Sequence, residues 1–438
     1  MIKSPLVPLL NKCDRQELLN YFQNSWFLED LLMKSIINEA TFYLNPDPLR
    51  NPLIFYLGHS AVFYINKLRQ VNILDKSINS YYESLFEVGV DASTPGEISP
   101  INWPPLGKVW EYREQAYQVI SEIIKNVPFD LPIYQNHPLW ALMMAIEHQR
   151  IHFETSSMLI RQLPREKLKR PLGWEYAPSG GKIPNNQFRE VKGGVVEIGK
   201  PKDSPYYGWD SEYGYLQVEV KTFWASQYKI TNGEFREFVT SHGYENPHYW
   251  DKLALEWREQ YQVKHPKFWL KEQGNYQYRA MFDEIELPLD WPVEVNYHEA
   301  MAYCRWRGKG FGLMSEAQWN LATLGLETGV ENYNLNLKFG SPSPVGMLAA
   351  SESSGGLFDL RGNVWEWIGD DFYALPGFAS HYLYEDNAVP FFNDQHKMML
   401  GGAWITTGTE ALRFYRNWFR PYFYQHAGFR IVATLRLS

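Results

Sequence analysis

The sequence has 438 residues, 45% hydrophobic and 21% charged, with a net charge of −8. That is ample for a sizeable core and suggests two to three domains. The acidic balance, without any Lys/Arg run, argues against nucleic acid or an anionic membrane as the main partner. No apolar run reaches the roughly 18 residues a membrane span needs. Aromatic residues make up 16%, with 17 Trp, which favours a loop-rich fold pinned by large side chains.

Taken in chain order, the start MIKSPLVPLLNKCDR is too briefly apolar, and too soon broken by proline, for a secretory signal. Cys13 and Cys304 are far apart in sequence. A cytoplasmic protein without structural disulfides is expected. Asp14-Arg-Gln-Glu17 reads as a helix start with a capping acid, and Leu/Phe periodicity carries that helix to about Ala40. Similar spacing marks 57–74, 107–126 and 138–163, separated by proline-rich connections such as Leu44-Asn-Pro-Asp-Pro48 and Trp103-Pro-Pro105. Four helices with long crossovers predict a bundle, whose interior is a common place for metals. The stretch from Arg170 to Asn186 reads as a linker. The expected division is 1–168 for the bundle, 169–186 for the linker and 187–438 for a second domain. There the grammar changes to short β-type runs, Gly194–Ile198 and Leu216–Lys221, with helices at Asn232–Thr240 and Tyr297–Trp306. The fold class is α+β.

His148 and His152, in Ala145-Ile-Glu-His-Gln-Arg-Ile-His-Phe-Glu154, are four apart on a predicted helix. They share a face about 6 Å apart, the spacing of two imidazoles converging on one cation. His137 precedes Pro138 and suits a cap or turn. His59 follows Gly58, which leaves room for close backbone or ligand approach. A His59, His148, His152 face is therefore a candidate metal site, against the alternative of hydrogen-bonded core histidines. Gln149 stands where a zinc protease needs its glutamate base. Three neutral imidazoles without a carboxylate leave open positions and a net 2+ charge, a site able to take thiolate, a nitrogen donor and O2 on one iron. Glu147 and Glu154 are read as solvated helix acids, with orientation of the imidazoles as their alternative role.

Further motifs carry a resemblance. Trp291-Pro-Val-Glu-Val-Asn-Tyr-His-Glu-Ala-Met-Ala-Tyr-Cys-Arg-Trp306, Ser315-Glu-Ala-Gln-Trp319, Leu360-Arg-Gly-Asn-Val-Trp-Glu-Trp367, Gly401-Gly-Ala-Trp404 and Ala427-Gly-Phe-Arg430 occur in this order. They resemble the formylglycine-generating-enzyme-like, C-type-lectin-related fold. The N-terminal half resembles a DinB-like four-helix bundle. Joined, the two look like the non-haem iron sulfoxide synthases of thiohistidine biosynthesis. Asp47-Pro-Leu-Arg-Asn-Pro-Leu-Ile-Phe-Tyr56 and Ile146–Ser157 are similar to the ovothiol branch.

The resemblance implies Fe(II) on His59, His148 and His152, O2 as co-substrate, and joining of a thiol to an imidazole carbon with oxidation of the sulfur. It implies a tyrosine that supplies a proton or hydrogen atom, with Tyr384 the match and the pair Tyr81 and Tyr82 the alternative. For substrates it points to Arg416-Asn-Trp-Phe-Arg-Pro-Tyr-Phe423, so Asn417, Trp418, Phe419, Arg420 and Phe423 are expected beside the substrate. Phe419 and Phe423 replace the charged pair that grips γ-glutamylcysteine in one branch, which leaves free cysteine as the thiol. Asn417 and Trp418 match the branch that uses Nα-trimethylhistidine (hercynine), and an aromatic face suits a quaternary ammonium. Ile151 stands where that branch often has Gln. The sequence ends eight residues after Arg430, without the methyltransferase domain usual in ovothiol synthases. Hercynine plus cysteine is the expected pair, histidine plus cysteine its alternative, and a non-redox module binding a small ligand the reading from another class. Cys304 is read as core packing.

Overall fold

Asp14 starts the first helix, α1 (Arg15–Met33), through a reciprocal cap. Its Oδ1 accepts from Glu17 N (2.8 Å) while the Glu17 carboxylate accepts from Asp14 N. The computed structural model describes residues 2–433 except 88, 90, 95, 96, 99, 100 and 273. α1 stops at Met33, short of Ala40, because the chain there pairs with the segment that leaves the bundle. Ile36 bridges Leu168, and Ile37 N–H donates to Lys167 O. α2 (Leu53–Gln70) and α4 (Leu106–Asn126) begin directly after Pro52 and Pro105, where a missing N–H costs nothing. A short helix between them, α3 (Ser80–Leu85), was not apparent from periodicity. The last bundle helix, α5 (Leu139–Arg161), has His137 at its start, where Nδ1 accepts from Leu139 N at 3.0 Å.

α5 is buried almost throughout, and its polar residues divide by direction. Gln149 faces the bundle core, accepting from Tyr64 Oη and donating to Glu29. Glu147, Arg150, Glu154, Ser157 and Arg161, three or four residues apart, form one stripe against the second half of the chain. Glu147 accepts from Thr409 N and Oγ1, Arg150 donates to Thr407, and Glu154 accepts from Trp365 Nε1 and Thr406 Oγ1. Ser157 meets His426 at 2.8 Å, and Arg161 pairs with Glu294 at 2.7 Å. Glu147 and Glu154 are thus buried staples and not solvated acids. The i, i+3, i+4 spacing of a docking face is the same as that of a wet face, so only the partner surface separates the two readings.

The second half is built of small sheets. Strands Phe188–Val191, Phe223–Ser226, Val432–Ala433 and Phe311–Gly312 form one sheet in that order. Asn417–Phe419, Lys397–Leu400, Trp365–Asp371 and Ala427–Gly428 form another. Both helices expected here are present, at Asn232–Thr240 and Tyr297–Arg307. Such short helices and strands would not hold this backbone alone; buried tryptophans pin it. Trp174, Trp291, Trp365, Trp367 and Trp404 are all inside, and a single apolar cluster runs from the bundle through them. The segment 170–186 has no regular structure but is fastened along its length: Trp174 Nε1 donates to Gly340 O, and Pro178 O accepts from Trp291 Nε1. Both cysteines are free and buried, and burial pushes the Cys304 thiol up to about 12. No described helix is long and apolar enough to cross a membrane.

Candidate functional site

Three imidazoles meet where α2 faces α5. His59 comes from α2, while His148 and His152 come from successive turns of α5. One ring nitrogen from each lies within 4.8 Å of the others, and Nε2 of His148 and of His152 are 3.1 Å apart. Stacked rings fix their planes. Phe63 covers His148 with centroids 3.6 Å apart at 9°, and Phe55 covers His59 at 4.8 Å. His59 Nδ1 is 2.6 Å from Phe86 O, so the proton sits on Nδ1 and Nε2 keeps its lone pair. Gly58 makes that contact possible, since a Cβ there would meet the Phe86 ring at 2.7 Å. The room beside Gly58 is therefore taken by Phe86.

Burial sets the charge. Desolvation lowers His59 to about 4. It drives His148 well below the usual range, helped by His152, His59 and Lys67, and does the same to His152, helped by His59 and Arg50. All three are neutral at pH 7, with lone pairs available. Nδ1 of His148 and Nδ1 of His152 are buried without a hydrogen-bond partner among the described residues. Unpartnered buried nitrogens are costly. Three neutral imidazoles are a donor set suited to a divalent transition metal, so the residues fit such an ion.

The trio opens into a cavity of about 780 Å³ between the bundle and the second half. Tyr384 reaches it from the loop before the Lys397–Leu400 strand, its ring 5.3 Å from Phe63 and 6.1 Å from His148. Burial, with Asp386 and Asp210 nearby, pushes its hydroxyl up to about 12. Asn417, Trp418, Phe419 and Arg420 line the opposite wall. Asn417 Oδ1 accepts from Trp418 N (2.9 Å), and Phe391 stacks on Trp418 with centroids 3.6 Å apart. Arg420 lines the cavity but is engaged by Asp91, donating from Nη2 at 2.9 Å and from Nε at 3.2 Å.

Two expectations need correction. Phe423 is buried off the cavity, packed edge-on to Phe419, because the chain turns inward after the strand Asn417–Phe419. Tyr81 and Tyr82 sit on α3, outside the cavity wall. Tyr81 is 61% exposed, and Tyr82 packs on Phe86 and Tyr112.

The structure also adds residues. Lys67 lies two turns beyond His59, with Nζ over the rings of Phe63 (5.0 Å) and Tyr384 (4.9 Å) and donating to Leu383 O. Desolvation lowers it to about 8. The spacing His59, Phe63, Lys67 marks one helix face and was readable as such. Arg50 and Glu410 carried no such sign. Burial and the neighbouring Glu154 hold Glu410 well above the usual carboxylate range.

Residues 174–435 match the family of the sulfatase-modifying factor enzyme 1-like domain. The chain belongs to this family. It is 30% identical over 245 residues to a hercynine oxygenase of Mycobacterium tuberculosis, a match covering 52% of this chain and 55% of that protein. To the hercynine oxygenase of Mycolicibacterium smegmatis it is 28% identical, over 88% of this chain and 91% of that one. To ergothioneine biosynthesis protein 1 of Neurospora crassa it is 24% identical over 98% of this chain. The chain spans 59% of that fungal protein.

Proposed function

We propose that the protein is an Fe(II)- and O2-dependent sulfoxide synthase joining L-cysteine to the imidazole of hercynine, in ergothioneine biosynthesis. The observation that carries this reading is the meeting of three neutral, partly unpartnered imidazoles with Tyr384 in one cavity. Its relatives named hercynine oxygenase and ergothioneine biosynthesis protein support the choice of pathway. The four-helix half is read as a DinB-like bundle over 1–168 that carries the iron ligands, joined by 169–186 to a formylglycine-generating-enzyme-like domain over 187–438. A cytoplasmic setting belongs to the same proposal.

His59, His148 and His152 would hold the iron. Bound there, Fe(II) supplies a centre that gathers thiolate, imidazole and O2 and permits electron transfer between them. The reaction balances with O2 as four-electron acceptor. Forming the C–S bond removes two electrons and oxidising the sulfur removes two more. One oxygen atom stays on sulfur, and the other leaves as water with the thiol proton and the imidazole C–H proton.

The chain's own residues position and donate. Phe86 O fixes the His59 tautomer, and Phe63 and Phe55 hold ring planes. Tyr384 stays protonated at neutral pH, so its hydroxyl is a donor beside the reacting atoms. Walls from both halves exclude water and bring two substrates together, which is worth most when their relative orientation is fixed.

Histidine in place of hercynine is the second reading. It is favoured by Asp386 on the cavity wall, since a free α-ammonium needs a carboxylate and a trimethylammonium does not. The deciding experiment supplies Fe(II), O2 and cysteine with either hercynine or histidine, and weighs the product. O2 uptake that requires both substrates, with a product of their combined mass plus one oxygen less two hydrogens, is expected. Uptake with cysteine alone and no combined product would overturn the reading.

A further inference from the structure

Arg50 lies just ahead of α2, half-buried on the cavity wall. It is mounted on rings and not on an acid. Its guanidinium carbon is 4.6 Å from the Phe423 ring centre and 5.4 Å from that of Phe419. Asp47, the acid nearest in sequence, turns Oδ1 to Leu49 N. Asp91, another carboxylate of the cavity wall, is engaged by Arg420 and His396. Among the described residues no carboxylate forms an ion pair with Arg50. Arg50 lies near Tyr56, and the Tyr56 ring is 5.8 Å from His152. The unpaired guanidinium is thus one ring away from the imidazole trio.

We infer that Arg50 is the anchor for the α-carboxylate of the amino-acid thiol, and so the residue that selects cysteine over thiols lacking a carboxylate. The inference rests on the functional reading above. A guanidinium presents a planar fork that matches a carboxylate with two parallel hydrogen bonds. Two aromatic faces leave that fork free while limiting its directions. Cysteine is the shorter of the two substrates, with only Cβ and Cα between sulfur and carboxylate. Its carboxylate must therefore lie close to the imidazoles when its sulfur does. Of the other cations on the cavity wall, Lys67 stands behind Phe63 and Tyr384 and already donates to Leu383 O, while Arg416 is paired with Glu316 and Arg420 with Asp91. Phe423, off the cavity, acts here as a positioning residue for Arg50.

The test compares cysteine with cysteamine, which has the thiol and amine but no carboxylate. Binding to the Fe(II)-loaded protein is measured by anaerobic calorimetry, and turnover by initial rates with hercynine and histidine. The wild-type protein should bind cysteine about 10–100-fold more tightly than cysteamine. In Arg50→Met that ratio should fall towards one, with the KM for the imidazole substrate unchanged. Arg50→Lys, which keeps the charge and loses the fork, should lie between. Phe423→Leu should lower the same ratio less, which a merely structural loss would not do. A wild-type protein that binds both thiols equally, or an Arg50→Met protein that keeps the ratio, overturns the role of Arg50 alone. A wild-type protein that binds neither thiol overturns the functional reading and this inference with it.

Discussion

On the cavity wall that the bundle supplies, His148 and His152 are neutral and each keeps one buried nitrogen without a partner among the described residues. On the wall supplied by the strand Asn417–Phe419, polar groups are already engaged. Asn417 accepts from its own neighbour, Arg420 is paired with Asp91, and Trp418 is covered by Phe391. A wall with unsatisfied groups gains from a bound partner, whereas a wall with satisfied groups contributes shape. Under the proposed reading the bundle side holds the metal, Tyr384 from the second half supplies the proton, and the strand side fits the substrate.

The largest expected effect tests the first half of that contrast. His152→Ala should abolish metal binding and lower turnover by more than about a thousandfold, since two imidazoles and water hold Fe(II) weakly. Metal analysis after anaerobic purification and a circular dichroism spectrum check it. Full iron occupancy in a folded variant would remove His152 from the ligand set.

Next comes the joint that holds the two walls together. Burial pushes Glu294 up, but Arg161 and His426 more than offset it, leaving its carboxyl at about 2. Its folded pKa is below the unfolded one near 4.5, so the native state binds fewer protons. Stability from this group is therefore present above about pH 4.5 and lost as pH falls towards 2, on the order of 3 kcal/mol. Glu294→Gln should lose a similar amount at pH 7, because Arg161 is left buried and unpaired. Its acid limb should be flatter in urea titrations between pH 5 and 3. An unchanged limb would place the acid sensitivity elsewhere.

Tyr384→Phe keeps the ring against Phe63 and removes the proton. Under the proposed reading, product should shift from sulfoxide to cysteine sulfinate by about a hundredfold in ratio, the lower range for loss of a general acid. Substrate KM values should hardly move. Product analysis by mass decides it, and an unchanged ratio would take the donor role from Tyr384.

The smallest effect probes the strand wall. Trp418→Ala should weaken hercynine by about tenfold and histidine less, the upper range for a lost aromatic face beside a quaternary ammonium. Equal losses for both substrates would mean that Trp418 only supports Phe391. Competition between hercynine and histidine at equal concentration gives the comparison directly.

Periodicity and capping residues sufficed for the long helices, and the i, i+4 spacing of His148 and His152 sufficed to raise a metal site, because these features act within one turn or one helix. In the second half the strands Gly194–Ile198 and Leu216–Val220 and the helices Asn232–Thr240 and Tyr297–Arg307 followed from local pattern, whereas the helices Lys252–Gln260 and Glu316–Ala322 and the remaining short strands did not. What lies outside the local pattern needed the folded molecule. α1 ends early because a segment more than a hundred residues away pairs with Ile36. Glu147 and Glu154 are buried because Thr409, Thr406 and Trp365 meet them across the joint between halves. Arg50 became visible only when Phe419 and Phe423, hundreds of residues later, closed beneath it. Sequence alone determines groups whose neighbours are a turn away. The burial, pairing and charge state of a group depend on atoms brought from elsewhere in the chain, and only tertiary packing decides those.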